Sequence, residues 1–267
     1  MNYYISALVA GTDGFPEFAE WINSVGDRHL GVELTAFTHD DAYWEKLCDL
    51  MPRLSCPVTF HGPYVQIEAT SDLNSEAHRW LMESYGRVFA LAAKYHAGHV
   101  VFHYSQKQFA EDTRQQAQDN AYAVMKKLTA QASEQGVFCV IENLCRQKQG
   151  IHLFSNDEYN EIFQRIPQAS ALIDIGHAHV NGLDIERFLY TYRDRVKGFH
   201  IHNNDGRTDQ HMDYHQGTAD IRQIMHWAAV YTPHAHMVLE YEPHEHLSHT
   251  EFLEEIEELR GWVAEGK

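Results

Sequence analysis

The chain has 267 residues, close to the ~250 of one eight-fold β/α barrel and short for two ordinary domains with a linker. With 44% hydrophobic and 22% charged residues it can bury a full core, which excludes a disordered or fibrous chain. Its net charge of −17 disfavours a protein that lives on phosphate backbones, where affinity comes from Lys and Arg.

No run approaches the roughly 18 apolar residues of a membrane span. The start, Met1-Asn2-Tyr3-Tyr4-Ile5-Ser6, lacks the basic region and apolar core of a secretory signal. Cys48, Cys56, Cys139 and Cys145 have neither metal-ligand spacing nor disulfide density, so a reduced, cytoplasmic chain is expected. The anomaly is 20 histidines, nearly equal to the 21 Lys and Arg combined.

Short runs rich in Val, Ile, Phe and Tyr alternate with longer amphipathic ones along the whole chain. A strand over 3–9 leads to a helix over 15–25, 30–35 to 40–50, 57–62 to 75–95, and 98–104 to 111–135. The pattern continues with 137–143 to 155–165, 171–175 to 185–194, 196–202 to 220–231, and 237–241 to 250–263. Ser155-Asn156-Asp157-Glu158 is a helix start with a carboxylate three residues after its Ser cap, Ser75 precedes a long helical run, and Gly136 follows one. Near-continuous apolar strands suit a parallel sheet covered on both faces. A doubly wound sheet is the competitor, but eight strand–helix units in this length predict a single-domain (β/α)8 barrel over 1–267.

The polar residues fall at strand ends: His61, His103, Glu142, Asp174 with His177 and His179, His200 with His202, and Glu240. Glu33 takes the matching place on the second strand, and Asp209-Gln210-His211 follows the seventh. In a barrel these ends open onto one face. A lone His or Glu there is more often a cap or a solvated group. Repetition on strand after strand points instead to convergence, and clustered acids and imidazoles are costly to bury without a cation. Imidazole plus carboxylate is the ligand set of Zn, Mn or Co. Of His200 and His202, only one is expected to face the mouth, and His177 and His179 pose a similar choice. The other histidines, among them His78, His99, His234, His236, His244 and His246, are read as surface or rim, and the five tryptophans as packing.

These motifs, in this order and over essentially the whole chain, resemble the xylose isomerase-like TIM-barrel superfamily of sugar isomerases, epimerases and endonuclease IV. All nine positions of the nuclease branch's trinuclear zinc cluster have a counterpart: His61, His103, Glu142, Asp174, His177, His202, Asp209, His211 and Glu240. The epimerase branch implies one Mn, Co or related ion on Glu142, Asp174, His202 and Glu240, with the two glutamates also moving protons. His177 then resembles a substrate-contacting histidine, with Glu33 holding hydroxyls and Arg207 orienting a phosphate or carboxylate. There are departures from the nuclease pattern. The loop from Thr35 to Asp41 is acidic where that branch presents an Arg, and His215-Gln216-Gly217 lacks the first Gly of a Gly-x-Gly turn. Tyr64 matches a nuclease Tyr but suits a sugar pocket equally.

The resemblance therefore implies a divalent-metal enzyme with one to three ions. A sugar or polyol isomerase/epimerase comes first, in which the metal polarises a carbonyl while one glutamate removes a proton and the other returns one. An endonuclease IV-like phosphodiesterase is the alternative, and a metal-binding barrel without catalysis the third. The expected partner is a small sugar or polyol rather than nucleic acid, and superfamily members often form homo-oligomers.

Overall fold

The computed structural model describes residues 1–105, 107–145, 151–243 and 247–266; His244 and His246 lie outside the described residues. Eight parallel strands close into one barrel in sequence order: β1 Tyr3–Ser6, β2 Leu30–Thr35, β3 Val58–His61, β4 Val100–Phe102, β5 Cys139–Glu142, β6 Ser170–Asp174, β7 Val196–Ile201 and β8 His236–Leu239. Residue Tyr3 of β1 pairs with both Leu30 and Met237, which closes the ring. The predicted (β/α)8 architecture is the observed one.

Nine α-helices surround the barrel among the described residues: α1 Gly11–Val25, α2 Asp41–Leu50, α3 Glu76–Lys94, α4 Glu111–Glu134, α5 Asn156–Arg165, α6 Ile175–Asn181, α7 Ile185–Tyr192, α8 Ile221–Tyr231 and α9 His249–Glu265. None is long and apolar enough to cross a membrane. The caps follow local chemistry. Ser155 and Ser248 form reciprocal capping boxes with Glu158 and Glu251, and Ser75 accepts from the His78 amide. The run predicted as strand over 3–9 breaks at Ser6, whose Oγ accepts the Leu8 amide and opens a short 3-10 turn at Ala7–Ala10.

The main apolar core lies between strands and helices, and inside the barrel Val101, Val140 and Leu172 form a small separate cluster. These three stand two residues before His103, Glu142 and Asp174. Because side chains along a strand repeat every two residues, they are the floor directly below the predicted ligands. The same step relates Thr59 to His61, His200 to His202 and Val238 to Glu240.

Candidate metal centre

His61, Glu142 and Asp174 are the last residues of β3, β5 and β6, whereas His103, His202 and Glu240 stand one residue past β4, β7 and β8. His177 enters from the first turn of α6, where Asp174 caps the helix by accepting the His177 amide at 2.6 Å. Asp209 and His211 reach in from the loop after β7; His211 adopts a left-handed backbone (φ 44°) and stacks on His202 at 3.8 Å between ring centroids. All nine ligand positions predicted from the sequence converge on one mouth.

Contacts link them into a continuous network. His103 Nε2 lies 2.8 Å from Glu142 Oε2, His177 Nδ1 3.1 Å from Glu142 Oε1, and His177 Nε2 3.0 Å from Asp209 Oδ2. His202 Nε2 is 3.0 Å from Asp174 Oδ2, His211 Nε2 3.4 Å from Asp209 Oδ2, and His61 Nε2 4.0 Å from Glu240 Oε1. Three groups drawn from this mouth have ligand atoms all within 4.8 Å of one another: His177, His202, Asp209 and His211; His61, His103 and Glu142; and Asp174, His202 and Glu240.

The donor set fits a divalent ion. A backbone carbonyl only accepts, so the Nδ1 contacts of His61 to Gly62 O (3.0 Å), His177 to Asn143 O (3.0 Å) and His211 to Glu240 O (3.1 Å) put a proton on each Nδ1. In the neutral ring that tautomer leaves the Nε2 lone pair free for a metal, the arrangement by which hydrogen-bond partners behind a ligating imidazole orient it. Charge agrees. Burial works to raise the Glu142 pKa, but His103 and His200 hold it well below the carboxylate range; Glu240 is lowered against the same burial by His200, His211 and His61. Burial depresses His177 and His211, yet Asp174 and Asp209 lift the first well above its usual value. Asp209 and Glu240 lift the second to about 9. His61 moves the other way, held down by burial and by His103. Without an ion the buried acids are balanced by imidazole protons, and a divalent cation is the natural replacement for them.

The asparagines of the same motifs are structural. Asn143 clamps β6 by accepting the Asp174 amide and donating to the Asp174 carbonyl, both at 2.9 Å. Asn203 Oδ1 accepts the amides of Asn204 and Ala219, and Asn204 Nδ2 donates to Gly176 O at 2.9 Å. Gly217 has φ +84° and leaves no room for a Cβ beside Asn203 Oδ1 and Asn204 O, so the one Gly kept from the expected Gly-x-Gly turn is the one the turn needs.

Above the network opens a cavity of about 250 Å³. Its walls include Tyr64, Tyr104, Leu8, Leu144 and Leu153 on the apolar side and His61, His103, Glu142, His177, Asp209, His211 and Glu240 on the other. Burial and the Glu240 charge push the Tyr64 hydroxyl up to about 12, so it stays protonated at neutral pH.

His200 and His202 share the inner face, because they stand two residues apart on a strand; His202 is at the level of the mouth and His200 one step below it, and both are fully buried. Two expectations are corrected. Glu33 does not reach the cavity and cannot hold a substrate hydroxyl. It sits opposite Thr59, whereas His61 sits opposite Thr35, which puts Glu33 one layer down. Arg207 lies outside the cavity on an exposed turn whose amide donates to Asp205 Oδ1, with its own position set by that turn. Sequence reasoning also missed His99, read as a surface residue but fully buried with Nε2 3.4 Å from Glu33 Oε2, and His78, which is buried on α3. For His99 the signal was its place at the head of the apolar run Val100–Phe102.

Residues 19–263 match the family model described as "Xylose isomerase-like TIM barrel". The chain belongs to the xylose isomerase-like TIM-barrel family. A curated relative, the uncharacterized protein MJ1614 of Methanocaldococcus jannaschii, is 27% identical over 164 residues, 61% of this chain. The aligned part spans 60% of that relative's length. Among solved structures, a D-tagatose 3-epimerase-like protein superposes with a TM-score of 0.79 at 17% identity, covering 99% of each chain. The TTHB071 protein from Thermus thermophilus, soaked with ZnCl2, gives 0.71 at 16% identity over 100% of each chain. An AP endonuclease of family 2 from Brucella melitensis gives 0.73 at 12% identity, covering 91% of this chain and 93% of that one. An epimerase-like protein and an AP endonuclease of family 2 thus share this family member's fold.

Proposed function

We propose that this family member is a divalent-metal-dependent isomerase or epimerase of a small sugar or polyol. The observation that carries the reading is the pairing of Glu142 and Glu240. They come from β5 and the end of β8, both line the same cavity, and they approach one buried atom, His200 Nδ1, at 3.6 and 2.9 Å. Two ionised carboxylates on separate strands flanking a small cavity are the geometry of a two-base proton transfer. Glu142, Asp174, His202 and Glu240 would hold the ion, which supplies Lewis-acid polarisation of a substrate carbonyl.

The chain's own residues do the rest. One glutamate would take the proton from the carbon beside the carbonyl, and the other would deliver a proton to the opposite face of that carbon, inverting it, or to the former carbonyl carbon while the hydroxyl proton passes from one oxygen to the other, moving the carbonyl. His177, at the cavity wall, is placed to hold a hydroxyl. The aromatic and aliphatic wall covers the C–H face of the ring and excludes water. The size of the cavity suits a small molecule. The test is deuterium incorporation from solvent into a panel of ketoses and inosose-type polyols; no exchange with any of them overturns the reading.

A second reading is favoured by one specific observation: His61, His103, Asp209 and His211 converge on the same mouth although a mononuclear site does not require them. An endonuclease IV-like phosphodiesterase with about three ions would use all of them. The net charge of −17 opposes it, because a duplex finds few cations to release counterions. Metal analysis separates the two readings, one ion against three, and chelator-sensitive nicking of an abasic-site duplex at low salt would reverse their order.

A further inference from the structure

Below the mouth lies a polar column that neither mechanism uses. Glu33, Thr59, His99 and His200 are all fully buried inside the barrel, on β2, β3, the residue before β4, and β7. Glu33 Oε1 is 3.1 Å from His200 Nε2, and the other face of the same imidazole, Nδ1, is 2.9 Å from Glu240 Oε2 and 3.6 Å from Glu142 Oε2. Glu33 is itself anchored: Thr59 Oγ1 donates to its Oε2 at 3.1 Å, and His99 Nε2 lies 3.4 Å from the same oxygen. The opposite half of this floor is the apolar trio Val101, Val140 and Leu172.

A carboxylate sealed in a barrel is expensive, and mutational loss of its partners costs several kcal/mol. Replacing it by an apolar residue, as on the other half of the floor, would relieve that cost. Its retention needs a reason in the site above. We infer that Glu33 is a positioning residue that acts through His200 on Glu240: the imidazole is a strut, in ion-pair contact with Glu33 below and with the Glu240 carboxylate above, without an aligned hydrogen bond to either. The strut fixes the depth and rotamer of Glu240, and hence the separation of the two glutamates. Glu33 does not line the cavity, and in this role it acts on the site only through His200. Groups that orient a ligand from behind in this way typically change metal affinity by about 10–100-fold when altered.

The inference rests on the proposed reading only for the catalytic use of Glu240, so its test is built on metal binding to the full chain. Zinc affinity is measured by competition with a chromophoric chelator for wild type, Glu33→Gln, His200→Gln and the double variant; the glutamine at 33 keeps the shape of the side chain. The expected result is a loss of about tenfold or more for each single variant and a double variant no weaker than the worse single, because once the strut is gone its seat is irrelevant. Wild-type affinity in Glu33→Gln, or losses that multiply in the double variant, overturns the inference. A residue that merely supports the fold would lower Tm and leave the zinc affinity of the folded protein unchanged. Should Glu33→Gln not fold, the isosteric Thr59→Val, which removes one anchor of Glu33, must still weaken zinc severalfold, and unchanged affinity there overturns it equally. With an exchanging sugar in hand, Glu33→Gln should lower kcat with little change in KM; absence of exchange in wild type refutes the functional reading and leaves the zinc cycle as the test of the strut.

Discussion

Gly176→Ala has a sign that separates two physical effects. Gly176 lies in the first turn of α6, where exchange of Gly for Ala in a solvated helix stabilises by about 1 kcal/mol. Here an added Cβ would overlap the imidazole of His202, Cε1 and Nδ1 included, and come within 2.7 Å of Nε2. The ring has nowhere to go. It is fully buried, held by Asp174 Oδ2 at 3.0 Å and stacked 3.8 Å from His211 at an interplanar angle of 9°. Overpacking of this kind costs about 1–3 kcal/mol, so clash should outweigh propensity. The excess over propensity, up to about 2 kcal/mol, lowers Tm by up to roughly 8 °C in a chain of this size, and displacement of His202 should weaken zinc by about tenfold or more. Scanning calorimetry of the metal-free protein and chelator competition read the two effects separately. A variant that melts at or above wild type and binds zinc normally would show that the His202 ring is not wedged against α6 as described.

Glu142→Gln keeps the side-chain volume but removes a base and a ligand; solvent exchange should fall by at least about 10²-fold and metal affinity with it, and full turnover would contradict its role. Stripping the ion should leave the fold but lower Tm: a ligand at a hundredfold excess over Kd adds about 2.7 kcal/mol, or roughly 5–10 °C here, and no shift with zinc, manganese or cobalt would argue against a metal site. Away from the mouth, burial and then the Asp213 charge push the Glu255 carboxyl up to about 8, against the hydrogen bond from Tyr241. Its folded pKa lies above the unfolded one, so its contribution is full below about pH 4.3 and lost as pH rises through about 8. Glu255→Gln, which cannot ionise, should gain on wild type by on the order of 3 kcal/mol between pH 5 and pH 9 in urea unfolding of the metal-free protein, and a pH-independent difference would refute the assignment.

The barrel was legible because each strand is a short apolar run bounded by turn chemistry and each helix a long amphipathic one. Where the reading failed, the cause was local. The seven residues of α6 include a glycine and two histidines and begin directly at the last residue of β6, so no helical period is visible; the helix exists because Asp174 caps it and Gly182 closes it in the left-handed region. Most of the candidate ligands were legible because they stand at strand ends. Their depth was not. Glu33 and His61 look alike as polar residues in apolar runs, and only the stagger of β2 against β3, which sets Glu33 beside Thr59, puts one in the floor and the other in the mouth. His99 and His200 were hidden for the same reason: a histidine in the barrel interior and one at its rim have the same sequence neighbours.

That layering bears on how two glutamates in one mouth differ. Glu142 stands above Val140 and next to the apolar trio; its nearer partners, His103 and His177, are at the cavity wall, and His200 Nδ1 lies farther off at 3.6 Å. Glu240 stands above Val238, but its nearest partner is His200, which is sealed from solvent and seated on a second carboxylate. Ligand binding or metal exchange can rearrange the first pair of partners, since both can be reached from the cavity; it cannot rearrange the second without opening the barrel. Both carboxylates are held ionised by neighbouring imidazoles, so they differ in how freely their partners can move and not in charge. The floor therefore fixes Glu240 more firmly than Glu142, and a ligand entering the cavity would shift the partners of Glu142 first.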